Sequence, residues 1–190
     1  MIRIALVGDI GSGKTYVAKQ FNFPVFNADK EVVKLYKSSR KCFNKLHKAI
    51  PKYIFLYPVQ KSQILKAILG NKSNLKKIVK IIHPEIRRKM NVFLNKNKNK
   101  KIVVLDIPLF LENRLNEKKD ILIFVDAKKN EIFKRLKQRP NFNIKLFKLF
   151  KKMQISLEVK KKKSNFILKN NFTNQSVKTN INKILKNIKK

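Results

Sequence analysis

Glycine is scarce in this 190-residue chain, and three of its four glycines fall within one stretch of six, Gly8 to Gly13. Cysteine is scarcer. The lone Cys42 excludes an intramolecular disulfide, and together with two histidines, His47 and His83, it falls short of a metal-ligating cluster. Acidic residues number 11 against 47 lysines and arginines, leaving a formal net charge of +36. No run approaches the ~20 apolar residues of a membrane-spanning helix, and repeats and Pro/Ser-rich linkers are absent. The sequence opens on a strand-like run rather than on a charged region followed by a long apolar one, so a reducing, cytoplasmic setting without a membrane partner is expected. The length suits a single domain with small inserts.

The clustered glycines belong to Gly8-Asp9-Ile10-Gly11-Ser12-Gly13-Lys14-Thr15, which spells G-x-x-x-x-G-K-T, the phosphate-binding loop of nucleoside triphosphate enzymes. Glycine permits the positive φ angles and close approach that aim successive N–H groups at one anion. Lys14 is placed to reach the β and γ phosphates, and the Thr15 hydroxyl to hold Mg²⁺. The flanks fit as well. Ile2 to Val7 reads as a short buried strand, and Tyr16 to Phe21 continues as a helix whose N-terminus faces the phosphates.

Further along, apolar strands alternate with amphipathic stretches, the pattern of a parallel sheet covered by helices. Strands are expected at Ile2 to Val7, Pro24 to Asn27, Lys101 to Asp106, Ile121 to Asp126 and Asn165 to Leu168. Helices are expected at 14–21, 30–37, 40–49, 59–69, 73–94, 129–137, 144–162 and 175–188. The expected fold is an α/β P-loop NTPase type: a five-stranded parallel sheet flanked by helices, with an inserted helical acceptor-binding region and a helical lid. One domain then spans 1–190, with its core at 1–39, 100–133 and 164–190, the acceptor region at about 40–99 and the lid at about 134–163. Ligands in such sheets bind beyond the carboxyl ends of the strands. Those ends carry Asn27-Ala28-Asp29, Asp106-Ile107-Pro108-Leu109, Asp126 and Lys169-Asn170-Asn171. Arg135 and Arg139, four apart on an expected helix, either clamp a transferring phosphoryl group or belong to a solvated basic face.

The positive charge is spread rather than focused, with lysine runs at Lys96 to Lys101, Lys160 to Lys163 and Lys189-Lys190. Lys, Asn, Ile and Phe are enriched together, as an A/T-rich gene produces. A solvated basic surface is therefore favoured over a nucleic-acid footprint, which clusters on one face. Such a field still attracts polyanionic nucleotides in a salt-dependent way.

Seven pieces together resemble the dephospho-CoA kinase family: V-G-D-I-G-S-G-K-T (Val7 to Thr15), F-N-A-D (Phe26 to Asp29), H-P-E-I (His83 to Ile86), I-P-L-F-L-E-N (Ile107 to Asn113), K-R-L-K-Q-R (Lys134 to Arg139), Gln154 with Lys160, and N-F-I-L-K-N (Asn165 to Asn170). The resemblance implies transfer of the γ-phosphoryl group of ATP, with Mg²⁺, to the ribose 3′-hydroxyl of dephospho-CoA, completing coenzyme A. It implies ATP contacts at Gly11, Ser12, Gly13, Lys14, Thr15, Tyr16, Arg135, Arg139 and Asn170. Acceptor contacts are implied at Asp29, Lys61, His83, Arg87, Pro108, Leu109 and Glu112, and catalytic roles at Lys14, Asp29 and Arg139. Asp29 is expected to orient or deprotonate the acceptor hydroxyl and also to cap the helix at Lys30. His83-Pro84 is expected to fix a helix junction rather than act as an acid or base, because phosphoryl transfer rests on positioning and electrostatics. A monomer with no specific nucleic-acid partner is expected.

Departures from the family pattern are Asn27 in place of an aspartate, Lys61 for an arginine, Tyr16 for a small hydroxyl residue, Phe172 for a glycine and Pro140 for an acidic residue. They bear on affinity and on the lid. Two competing readings are a kinase for another small acceptor, such as a nucleoside monophosphate or a shikimate-type substrate, and a nucleic-acid-binding P-loop ATPase. The H-P and P-L-x-x-E-N pieces oppose the first, and the lack of aromatic-rich RNA-binding strands opposes the second.

Overall fold

A computed structural model describes residues 1–140 and 142–188. The Lys189-Lys190 run lies outside the described residues, as does residue 141 of the expected lid. The strands are β1 (Ile2–Gly8), β2 (Val25–Asn27), β3 (Ile102–Asp106), β4 (Ile121–Asp126) and β5 (Phe166–Lys169). The helices are α1 (Lys14–Gln20), α2 (Ala28–Ser38), α3 (Arg40–Ala49), α4 (Lys61–Gly70), α5 (Ser73–Lys96), α6 (Lys129–Lys137), α7 (Ile144–Lys152), α8 (Leu157–Lys163) and α9 (Asn174–Ile188). The chain divides into two compact units, one formed by Met1–Asn27 with the chain from Asn97 onward, the other by Ala28–Lys96.

The first unit holds the sheet, ordered β2-β3-β1-β4-β5 with every neighbouring pair parallel. Central β1 is apolar on both faces because helices cover both, so Ile4, Ala5 and Leu6 are wholly buried. Alternate residues sort between the faces. Ile4 and Leu6 meet Val104, Ile123, Val125 and Leu168 in one cluster, closed by Val17 and Phe21 and by Val177, Ile181 and Ile184 of α9. The spacing of those three α9 residues repeats at three to four positions and so makes one helical stripe. On β4, Asn165 extends the edge: its amide oxygen accepts from the Leu122 N–H and its own N–H donates to the Leu122 carbonyl.

Helical structure alone builds the second unit, with α5 packed against α2, α3 and α4. Along α5, Leu75, Ile78, Ile82, Ile86 and Met90 form the buried stripe. Ser39 caps α3 by accepting from the Cys42 N–H. The unit begins at Ala28 rather than at Arg40, because α2 packs on α3 and α5. Burial pushes the Cys42 thiol up to about 11, and His47 stacks on Phe43 while its Nδ1–H donates to the Ile54 carbonyl at 2.6 Å.

Two expectations are corrected. Pro84 marks no junction; it lies inside the continuous 24-residue α5. Proline removes one helical donor, but Pro84 and Lys80, the residue whose carbonyl loses it, both lie on the exposed side of α5, where water can substitute. The expected helix at 144–162 is two helices, separated because Ser156 caps α8 by accepting from the Val159 N–H. Among the described residues no helix is long and apolar enough to cross a membrane.

Candidate active site

β1 ends where its carboxyl edge meets the phosphate loop, and the loop's shape follows from side chains packed against its glycines. Gly13 caps α1 at φ 90°, in the left-handed region, and a Cβ there would lie 2.3 Å from the Asn170 amide nitrogen. Asn170, nearly fully buried just past β5, donates to the Ser12 carbonyl at 2.8 Å and accepts from the Phe172 N–H at 2.9 Å. The last strand thus fastens the turn that α1 continues. At the other end, a Cβ on Gly8 would stand 2.7 Å from the Val125 carbonyl of β4, so only glycine fits beside that strand.

Lys14 folds back over this loop, its ammonium 2.6 Å from the Asp9 carbonyl and 3.4 Å from that of Gly8. Thr15 is exposed and Tyr16 half-buried. Asp9 is held in turn, because its Oδ1 accepts from the Ile10 N–H at 2.7 Å and from Lys151 at 2.5 Å. The Gln154 amide lies among Asp9, Lys160 and the Gly8 carbonyl: with its nitrogen toward Asp9 it donates to Oδ1 at 3.1 Å and its oxygen accepts from Lys160 at 3.1 Å, and with the amide turned the other way the nitrogen stands 3.5 Å from the Gly8 carbonyl. Lys160 completes the group: its ammonium lies 2.8 Å from Glu112 Oε1 and 3.5 Å from the Gly8 carbonyl. The Ile155 N–H donates to that carboxylate oxygen at 3.2 Å, so Glu112 anchors the α7–α8 connection.

At the ends of β2 and β3, the register partners Asn27 and Asp106 meet, with the Asn27 amide donating to Asp106 Oδ2 at 2.5 Å. Beyond Asp106, Pro108 is exposed and Leu109 takes φ 55°. Arg135 lies on the exposed side of α6 with its guanidinium 4.2 Å from the Phe172 ring centre. The helical pairing of Arg135 with Arg139 is corrected: α6 stops at Lys137 with Gln138 as its cap, so Arg139 stands past the helix end. Its N–H turns back to the Leu136 carbonyl at 3.1 Å, tightening the chain away from the i to i+4 geometry.

In the helical unit, Asp29 is exposed in the first turn of α2, inside the helix rather than at its cap. This corrects the capping expectation, and the reason is that α2 begins directly where β2 ends. Lys61 opens α4 next to Gln60, whose side chain forms a capping box with Gln63. It adds to the positive end of that helix. His83 and Arg87 lie one turn apart on α5, and half-burial together with the Arg87 charge lowers the His83 pKa. That shift favours a neutral ring.

A family model described as dephospho-CoA kinase matches residues 2–176. The chain belongs to the dephospho-CoA kinase family. The dephospho-CoA kinase of Wolbachia pipientis wMel is 30% identical over 187 residues, covering 96% of this chain and 95% of that one. Its counterpart in Bartonella quintana is 32% identical over 193 residues, covering 97% and 98%. Among solved structures, dephospho-CoA kinase from Campylobacter jejuni matches with a TM-score of 0.63 at 24% identity, over 98% of this chain and 96% of that one. TT1252 from Thermus thermophilus matches at 0.76 and 22% identity, over 98% and 95%. At these identities the structural likeness is one of fold.

Within the sheet unit, the kinase brings Gly11 to Tyr16 and Asn170 into one locked loop, and Glu112 joins that loop's base through Lys160. Sequence reasoning missed Asp9 and Lys151 as parts of this arrangement, paired Gln154 with Lys160 only as a family piece without a task, and gave Asp106 no role. A carboxylate ending the strand beside β1 was the available signal for Asp106. For Lys160 the signal was its pairing with Gln154 in the family resemblance, which set it apart from the run of four lysines it opens, the other three of which are exposed.

Proposed function

We infer that the protein transfers the γ-phosphoryl group of ATP to the 3′-hydroxyl of dephospho-CoA, giving coenzyme A and ADP. The observation that carries this is a complete G-x-x-x-x-G-K-T loop, closed by Asn170, in a chain that the family model covers from residue 2 to 176. In this reading the three donors of the Lys14 ammonium serve the loop carbonyls and the β and γ phosphates together, and its charge balances what builds up on the transferring group. The loop amides from Gly11 to Tyr16 cradle the phosphates. Asp29 orients the acceptor hydroxyl and takes its proton, and Lys61, His83, Arg87, Pro108 and Leu109 contact the acceptor.

The residues present fit a magnesium ion. Mg²⁺ takes oxygen ligands, one or two from the protein and the rest from water and substrate phosphates. Thr15 offers a hydroxyl after the loop lysine and Asp106 a carboxylate at the end of β3, whose Oδ2 the Asn27 amide occupies. Among the described residues no group of three or more His, Cys, Asp or Glu side chains is placed to hold a metal by itself, in keeping with an ion that arrives with its nucleotide. Bound there, the ion would neutralise charge on the β and γ oxygens. We place the enzyme in the cytoplasm as a monomer, with no specific nucleic-acid partner.

With Mg-ATP and dephospho-CoA, ADP should form in step with coenzyme A. Absence of acceptor-dependent ADP, or faster phosphorylation of a nucleoside monophosphate, refutes the acceptor assignment. A second experiment separates the lid from the diffuse charge. Arg135→Gln should lower turnover at saturating ATP by about tenfold, as expected for a hydrogen bond that forms only in the transition state. Its effect on stability should be small, because a cation–π contact at an exposed site is worth about 0.5–1 kcal/mol. Lys98→Gln with Lys100→Gln, both exposed, should leave turnover unchanged and at most slow encounter at low salt. If instead the lysine changes abolish salt-sensitive RNA binding and Arg135→Gln leaves turnover intact, the charge serves a nucleic acid.

A further inference from the structure

We propose that Phe172 is a positioning residue for the nucleotide, its ring seating the Arg135 guanidinium beside the phosphate loop before ATP arrives. The inference rests on the kinase reading above, in which Arg135 contacts ATP, and concerns a residue to which that reading gives no task.

The starting observation is a bulky side chain on a backbone that suits glycine. Phe172 takes φ 64°, in the left-handed region, where a side chain of this size is strained. The surroundings hold it there. Its N–H donates to Asn170 Oδ1 at 2.9 Å, and the nitrogen of that amide donates to the Ser12 carbonyl at 2.8 Å, so the turn after β5 is tied to the phosphate loop. The ring turns the same way. A Cβ on Gly13 would lie 3.3 Å from its edge, and the Arg135 guanidinium lies 4.2 Å from its centre. One ring thus adjoins both the loop glycine and the arginine.

Arg135 has need of such a support. It is exposed on α6, and among the described residues no carboxylate pairs with it, so the ring is what orders a long side chain with many rotamers. The helix itself is set on the same loop, because a Cβ on Gly11 would meet Ile132 at 2.9 Å and Leu136 at 3.0 Å. Helix α6 therefore brings Arg135 to the loop, and Phe172 fixes where its guanidinium stands.

Stability alone does not account for the ring. An exposed cation–π contact is worth no more than such a backbone commonly costs, and glycine would take φ 64° without strain. Half-burial of the ring offsets part of that cost, but an aliphatic side chain of similar size would offset as much. What an aliphatic side chain cannot do is offer a flat π face to a guanidinium. An arginine ordered in advance loses less freedom when it closes on a phosphate.

A cycle of four proteins tests this: parent, Phe172→Leu, Arg135→Gln and the double variant, compared in thermal midpoint, KM for ATP and kcat at saturating acceptor. Phe172→Leu should lower kcat about threefold to fivefold, less than Arg135→Gln does, because the arginine is loosened rather than removed. In the Arg135→Gln background the same change should lower kcat by less than about 1.5-fold, since its effect runs through the guanidinium. Phe172→Tyr keeps the π face and should hold kcat within about twofold of the parent. Parental kcat in Phe172→Leu overturns the proposal. An equal loss in both backgrounds also overturns it, the ring then being a packing element against Gly13, and so does parental turnover in Arg135→Gln, which leaves no contact to position. Should Phe172→Leu fail to fold, Phe172→Gly takes its place in the cycle, because glycine suits the backbone there. The cycle is run on whichever acceptor the parent phosphorylates, so an error in the acceptor assignment shows in the parent and leaves the Phe172 comparison intact.

Discussion

Lys14→Ala is expected to lower kcat by about a hundredfold to a thousandfold, the usual loss when one preorganised donor to developing charge is removed. The same substitution deletes the contacts from the ammonium to the Asp9 and Gly8 carbonyls, at 2.6 and 3.4 Å. Hydrogen bonds from charged groups are each worth about 1.5–3 kcal/mol at most in the folded state, and Lys14 is only half-buried, so the midpoint should fall modestly. The two readouts therefore separate. ADP release at saturating ATP and dephospho-CoA should collapse while the protein still unfolds cooperatively near the parent temperature. Near-parental turnover in a folded Lys14→Ala protein would mean that the loop does not carry the chemistry. Lys14→Arg sharpens the test: charge is kept, but a planar fork replaces a compact point charge in a loop shaped by Gly13 and Asn170.

Most of the sheet unit was legible because its signals are local. A strand, a glycine-rich turn with Lys14 and a following helix announce themselves within twenty residues, and β3 and β4 are short apolar runs that end in Asp106 and Asp126. The strand order was not legible, since each of these runs is buried on both faces and apolar throughout, which hides what lies beside it. Errors in the helices have particular causes. Pro84 suggests a helix start because proline favours the first turn, yet on the exposed side of a long helix its missing donor is tolerated. The break between α7 and α8 depends on the Ser156 hydroxyl turning to the Val159 N–H, in a segment otherwise rich in helix formers. Arg135 and Arg139 look like one face only if helical spacing continues past Lys137, and it does not.

Within the site, the least legible feature was the sorting of equal residues into unequal environments. Lys160 to Lys163 read as one solvated run, but Lys160 is buried against Glu112 while Lys161, Lys162 and Lys163 are exposed. Helical periodicity turns one of four neighbours inward, and only tertiary structure says which one finds a carboxylate. Asn27 is a related case. In the sequence it reads as the loss of a carboxylate, whereas its amide bonds to Asp106, its register partner across two strands that lie far apart in sequence.

Asp29→Asn should lower turnover by on the order of a hundredfold or more, the range for a positioned acid–base group, with little change in stability. The structure makes this separation cleaner than capping would have allowed. Asp29 lies within the first turn of α2, so it does not serve as the N-cap whose loss costs about 1 kcal/mol. Part of what Asn gives up at that place is the attraction of a carboxylate for the positive end of the helix, about 0.3–1 kcal/mol for an exposed side chain and less in salt. Glu31, also in the first turn, keeps a second acidic group there; its pKa is lowered because Lys34 and Lys89 outweigh the opposing effect of partial burial. Asn matches Asp in shape and still accepts a hydrogen bond, but it cannot take a proton from a ribose hydroxyl at neutral pH. If Asp29 only orients the acceptor, Asn should preserve much of kcat and raise the KM for dephospho-CoA instead. If it takes the proton, kcat should fall while that KM stays near the parental value. A thermal midpoint that drops while both kinetic constants hold would leave Asp29 with no part in catalysis, its carboxylate serving the first turn of α2 alone.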